Sequence, residues 1–281
     1  MTDIRPSSIA GTWYPGQPEA LSQSIDHYLQ AAEPLQIDGE VIGLITPHAG
    51  HRYSGHVAAH AFHCLQESEP KIVSVLSPLH SPHPAKVLTT AHEAYATPLG
   101  TVTVDDELLQ HLETELTENW GIKISRLRND NEHSLEIELP FLQRSITQPF
   151  KLLPIMMRDQ SKATAEAVGK SLASVLADHA ILIIGSTDLS HFYPQEVAEK
   201  FDKEILQRLQ AFDPSGILAA EEQGIGFACG RGAMAASLWA AKNLGADSVR
   251  VLKYATSGDV TGDFQSVVGY AAAVIYRKDD H

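Results

Sequence analysis

Apolar residues in this chain follow two rhythms. Unbroken runs rich in Ile, Val and Leu occupy 41–46, 72–77 and 181–185. Runs of this length without alternation predict strands buried on both faces of a sheet. Elsewhere apolar positions recur at helical spacing, as with Leu21, Ile25, Tyr28 and Leu29. This spacing predicts helices over 18–32, 56–67, 105–119, 162–177, 195–210 and from Cys229 to about Leu244. Further strands are predicted at 87–90, 100–104, 122–127, 150–157, 249–256 and 267–276. Asp105 reads as a helix N-cap. An amphipathic stretch follows residues 131–134, and Pro140 predicts its kink or early end. The Gly-bounded stretch 47–55 reads as a loop.

Strand and helix alternate with no long linker, charge block or internal repeat. The expected architecture is α/β: a single domain over residues 1–281, with a mainly parallel central sheet flanked by helices.

The three buried runs share a further feature: each leads into a histidine, His48, His80 and His191 respectively. If the strands are parallel neighbours, their C-terminal ends lie on one edge, where open α/β sheets place ligands. Imidazoles gathered in a pocket point to a metal, acid–base chemistry, or both. His51 and His83, on the same loops, are alternates for His48 and His80.

Composition narrows the classes. The hydrophobic content of 43% suits a globular core, and the formal net charge of −14 argues against nucleic acid or an anionic membrane as partner. No apolar run approaches the roughly 20 residues of a membrane span. The N-terminus lacks the apolar core of a signal peptide. Cys64 and Cys229 are the only cysteines. A cytoplasmic location is therefore expected.

Other residues add chemistry. Asp188, in the loop before His191, is placed to orient an imidazole or accept a proton. Glu132 and His133 are further catalytic candidates at an expected helix start, where capping alone also accounts for a carboxylate. Cys229 precedes Gly230-Arg231-Gly232 and a helix. A thiol there, near an arginine, is a candidate for a depressed pKa, metal ligation or nucleophilic attack. Arg231 and Arg52 are candidate ligand-binding cations. His56, His60 and His63 share one narrow helix face and are expected to face solvent without a functional role.

Several blocks together resemble the Memo family, whose bacterial and archaeal members are called AmmeMemoRadiSam system protein B. They are residues 10–16 (Ala-Gly-Thr-Trp-Tyr-Pro-Gly), Pro47-His48-Ala49-Gly50 with Tyr53-Ser54-Gly55, and Glu132-His133-Ser134-Leu135-Glu136 with Leu139-Pro140-Phe141. Ser186-Thr187-Asp188-Leu189-Ser190-His191 and Cys229-Gly230-Arg231 complete the set. That family is similar to the catalytic subunit of class III extradiol ring-cleaving dioxygenases, which hold Fe(II) with two histidines and a carboxylate. The resemblance implies His48 and His80 as metal ligands, with Cys229 as the third in place of the carboxylate. It implies His191 as an acid–base residue with Asp188 beside it. It also implies an iron or copper ion; zinc suits the same soft donor set.

Two departures shape the expectation. Ser77-Pro78-Leu79-His80 stands where the family often has Gly-Pro-x-His. A thiolate in place of a carboxylate is open to oxidation by the oxygen a dioxygenase activates, so ring cleavage does not carry over. The leading expectation is a redox-active metal protein. A non-catalytic module binding a peptide or small anionic molecule in the same pocket is the alternative. Third comes a cysteine-nucleophile enzyme with His191 as base. Substrate, native metal and oligomeric state are not fixed by the sequence.

Overall fold

The computed structural model describes residues 2–33, 37–65 and 68–279. Its strands are β1 (Ile4–Arg5), β2 (Gly39–Thr46), β3 (Ile72–Pro78), β4 (Val87–Thr90), β5 (Ala94–Thr97), β6 (Gly100–Thr103) and β7 (Ile124–Leu127). They continue with β8 (Lys151–Met157), β9 (Ile181–Ser186), β10 (His191–Tyr193), β11 (Ser248–Thr256) and β12 (Val267–Lys278). The helices are α1 (Pro18–Ala31), α2 (His51–His63), α3 (Asp106–Trp120), α4 (Leu139–Ser145) and α5 (Lys162–Leu176). Then come α6 (Gln195–Gln210), α7 (Pro214–Glu222), α8 (Arg231–Asn243) and the single turn α9 (Gly258–Thr261).

The large sheet has the order β10-β12-β2-β9-β3-β8-β4-β7, with β11 also paired to β12. Its centre, β2-β9-β3-β8, is parallel throughout. Three of these four, β2, β9 and β3, are the strands that read as unbroken apolar runs. Every residue of β3 is buried. On β2, Leu44 joins one core cluster and Ile45 a second, so the strand is covered on both faces. The flanks differ from the expected mainly parallel arrangement. β12 runs antiparallel to β2, β10 and β11 antiparallel to β12, and β4 antiparallel to β8. The sheet is therefore mixed: its four central strands are parallel, and at one edge β4 and β7 form a further parallel pair. β1, β5 and β6 form a small separate sheet.

Helix boundaries corrected two expectations. α2 begins at His51, not near His56, so half of the expected loop is helical. Gly55 is there for close packing: a Cβ would lie 2.8 Å from the Tyr28 ring of α1. The C-terminal end expected for that helix, at Glu67, lies outside the described residues. Pro140 starts α4 rather than ending a helix; in a first turn its missing N–H costs nothing. Asp105 caps α3 as expected, accepting from Leu108 N–H at 3.2 Å. The short elements β1, β5, β10 and α7 carried too little periodicity to be predicted. No helix among the described residues is long and apolar enough to cross a membrane.

Candidate metal centre

The parallel register sets three loops side by side. Thr46 at the end of β2 lies opposite Ser186 at the end of β9, and β3 pairs with the other edge of β9. The loops carrying His48, Asp188 and His80 therefore emerge together. The loop after β8 and the turn before α8 close around them.

His48 is buried, and its backbone N–H donates to Asp188 Oδ1 at 2.8 Å. The Ala49 N–H donates to the same oxygen at 3.3 Å. Asp188 thus pins the His48 loop through backbone groups and orients no imidazole directly. Burial pushes its pKa up to about 7. The His48 ring is held at both nitrogens. Nε2 is 3.1 Å from Cys229 Sγ, and Nδ1 is 3.0 Å from Ser186 Oγ. That hydroxyl also lies 2.7 Å from the Ser134 carbonyl oxygen and 2.7 Å from Glu138 Oε1.

His80 is held by Glu132. Its backbone N–H donates to Oε2 at 2.7 Å, and its ring Nδ1 meets Oε1 at 2.9 Å. The same Oε1 accepts from the His133 and Ser134 N–H groups at 3.0 Å each. Glu132 therefore holds its own turn and also orients a ring; the helical segment expected to start there begins only at Glu136. Burial opposes its charge, but the bonds from His80 and Ser134 outweigh this and hold the carboxyl far below the usual range. Burial likewise opposes a charged His80, and the Glu132 bond and charge outweigh it, raising that pKa. The His133 ring stacks on His80 with centroids 4.8 Å apart, and Trp13 packs against it at 4.2 Å, tilted by 37°. Burial lowers the His133 pKa to about 4, so it is neutral near pH 7.

Cys229 sits on a tight turn. The Asp188 N–H donates to Sγ at 3.3 Å. Gln160 clamps the turn from the loop after β8: its Nε2 donates to the Cys229 carbonyl at 2.7 Å, and its Oε1 accepts from Gly232 N–H at 2.8 Å. Gly230 is required here, since a Cβ would lie 2.4 Å from the Ser186 carbonyl oxygen. The expected depression of the thiol pKa is reversed. Burial, with the Asp188 charge adding to it, pushes the Cys229 thiol up, and burial pushes His48 well below its ordinary value. The Sγ–Nε2 pair thus rests as neutral thiol and neutral imidazole.

One ligand atom from each of His48, His80 and Cys229 lies within 4.8 Å of the others. Both imidazoles have Nδ1 tied back to the protein, which leaves their Nε2 atoms for an ion. The donor set fits a soft or borderline cation. His80, Glu132 and His133 form a second group of the same compactness. There the carboxylate oxygen already contacts both rings, at 2.9 and 3.3 Å.

His191 opens β10, and its Nδ1 lies 2.7 Å from the Leu189 carbonyl oxygen. A carbonyl only accepts, so Nδ1 carries the proton and Nε2 the lone pair. Burial lowers its pKa. Arg231 turns away to pair with Glu221 at 2.8 Å, and Arg52 is exposed over the Tyr53 ring. His51 bonds the Ile137 carbonyl, and His83 accepts from Ala85 N–H. His56, His60 and His63 are half-buried rather than solvent-facing, and His60 and His63 bond backbone carbonyls through Nδ1.

Sequence reasoning missed Glu138, Gln160, the packing of Trp13 and the part played by the Ser186 hydroxyl. Glu138 carried a usable signal, a carboxylate between Ile137 and Leu139 in an apolar stretch. Gln160 carried none.

A family model described as Memo-like protein matches residues 5–274. A MEMO1 family protein of Methanopyrus kandleri is 38% identical over 284 residues, covering 97% of this chain and 99% of that protein. One from Methanothermobacter thermautotrophicus is 37% identical over 95% of this chain and 99% of its own length. Among solved structures, an uncharacterized protein from Escherichia coli K12 shares the fold with a TM-score of 0.53 at 15% identity, covering 83% of this chain and 99% of that one.

Proposed function

This chain belongs to the Memo-like protein family, and from that premise we propose that it is a metal-dependent redox protein. His48, His80 and Cys229 hold the ion, which is iron or copper. The observation that carries this reading is the convergence of their ligand atoms within 4.8 Å from three separate loops. An iron or copper ion supplies one-electron and oxygen chemistry when bound. The protein's own groups do the rest. Glu132 orients His80, Asp188 holds the His48 loop, and Gln160 fixes the Cys229 turn. His191 presents a free Nε2 lone pair as proton acceptor. Trp13 and His133 form an aromatic wall beside His80.

Thiol nucleophile catalysis is the weaker reading. The base expected for it was His191, but the imidazole against Sγ is His48, and that pair rests neutral. The deciding measurement is metal content after anaerobic purification of wild type, His48→Ala and Cys229→Ala. Wild type is expected to retain iron or copper, and each variant to lose most of it. Equal, negligible metal in all three overturns the proposal.

A further inference from the structure

The hydroxyl of Ser186 has more neighbours than its single proton can serve. Three polar atoms surround Oγ: the Ser134 carbonyl oxygen at 2.7 Å, Glu138 Oε1 at 2.7 Å and His48 Nδ1 at 3.0 Å. Ser186, Ser134 and Glu138 are buried to 1% exposure or less, so water does not relieve the count. A serine hydroxyl donates once and accepts twice. The Ser134 carbonyl only accepts, so it takes the Ser186 proton. The other two neighbours must then donate. If Glu138 were ionised, two acceptors would compete for one proton, and a buried oxygen would be left unpaired against another. If His48 carried its proton on Nε2, Nδ1 would need the proton that Ser134 already holds.

We propose that Ser186 is a positioning residue that locks His48 as its Nδ1–H tautomer, with Glu138 held behind it as a neutral carboxylic acid donating to the same hydroxyl. The lock leaves the His48 Nε2 lone pair facing Cys229 Sγ, whose S–H donates to it across 3.1 Å. Burial and the nearby Asp188 push Glu138 up to about 8, in the direction the hydrogen-bond count requires. The inference rests on the metal-site reading above for what that lone pair serves. It also makes the two imidazoles unequal. His80 leans on an ionised carboxylate, while His48 leans on a neutral hydroxyl backed by a neutral acid. His80 is therefore the more electron-rich of the two ligands.

The test begins on metal-free protein with nitrogen-15-labelled imidazoles. Long-range proton–nitrogen correlations are expected to show His48 protonated at Nδ1. Infrared spectra at neutral pH should contain a protonated-carboxyl band that Glu138→Gln removes. In Ser186→Ala the His48 tautomer should become mixed, and cobalt(II) should bind about 10–100-fold more weakly. Glu138→Gln keeps a donor toward Oγ and should leave the tautomer unchanged. An Nε2–H His48 in wild type, no protonated-carboxyl band, or a tautomer indifferent to Ser186→Ala overturns the lock. Should wild type fail to bind cobalt(II) while its tautomer still responds to Ser186→Ala, the lock stands and the metal reading falls. The wild-type nitrogen spectrum by itself decides the His48 tautomer even if a variant fails to fold.

Discussion

Glu136 and Glu138 stand two residues apart on one short turn, both buried, and they meet opposite fates. Glu136 faces the N-terminal segment. It accepts from Arg5 Nη1 at 2.7 Å, the Ser8 N–H and hydroxyl at 3.0 Å each, and the Tyr14 hydroxyl at 2.8 Å. Arg5 also pairs with Asp130 at 2.8 Å. Burial opposes the Glu136 charge, yet these partners outweigh it and lower the pKa. Glu138 faces the candidate metal centre, meets Ser186 instead of a cation, and is pushed up to about 8 by burial. Burial alone therefore does not set the state of a carboxyl; the partner does. The first cluster is an anchor, tying the N-terminal segment down so that Trp13 reaches His133. The second is a proton-holding arrangement around a ligand.

The largest expected effect comes from breaking the anchor. Arg5→Met leaves Glu136 and Asp130 buried without their cation and should cost about 3–5 kcal/mol in urea unfolding. A loss below about 1 kcal/mol would mean that Glu136 is not charged in the fold.

Matched glutamine substitutions should then diverge in sign. Glu136→Gln removes a charged acceptor from Arg5 and should destabilise by about 2 kcal/mol near pH 7. Glu138→Gln removes a group that must be protonated to fold, and should stabilise by up to about 4 kcal/mol near pH 8. The same sign for both would dissolve the contrast.

Acidity separates them further. Glu136 has a lowered folded pKa, so its contribution is present above its ordinary 4.5 and is lost as pH falls through the folded value. Wild type should lose its advantage over Glu136→Gln on acidification. Glu138 is the reverse case: its proton stabilises the fold fully below 4.5, and that contribution is lost as pH rises through about 8. The advantage of Glu138→Gln should accordingly vanish as pH falls toward 4.5. Urea midpoints of the three proteins from about pH 2 to about pH 9 check both trends.

The smallest effect is expected from Ser7→Ala. Ser7 is one of several donors to Glu136, and its loss should cost about 1 kcal/mol while Arg5 keeps the carboxylate ionised. A larger loss, with Glu136 turning neutral, would shift the weight of the anchor from Arg5 to the hydroxyls.

Much of this molecule was written in local pattern. The unbroken runs of β2, β3 and β9 announced their burial, and their trailing histidines announced a shared edge. Cys229 before Gly230 marked a helix start. The family blocks joined that cysteine to His48 and His80, and the fold brought all three together. Pattern erred where one residue type serves two purposes. Gly55 read as a loop but makes room for Tyr28, and Pro140 read as a stop but opens a helix.

Sequence by itself thus determined the parallel core, most of the helices and the three segments whose His48, His80 and Cys229 converge, because periodicity and motif are local properties. Only the tertiary structure decided that Cys229 lies against His48 rather than His191, that its thiol pKa is raised rather than depressed, and that the Glu136 and Glu138 pKa values shift in opposite directions. Those outcomes depend on which distant group faces each atom across 41 to 181 residues of chain. Desolvation and hydrogen-bond count are properties of that enclosure and not of the neighbouring sequence.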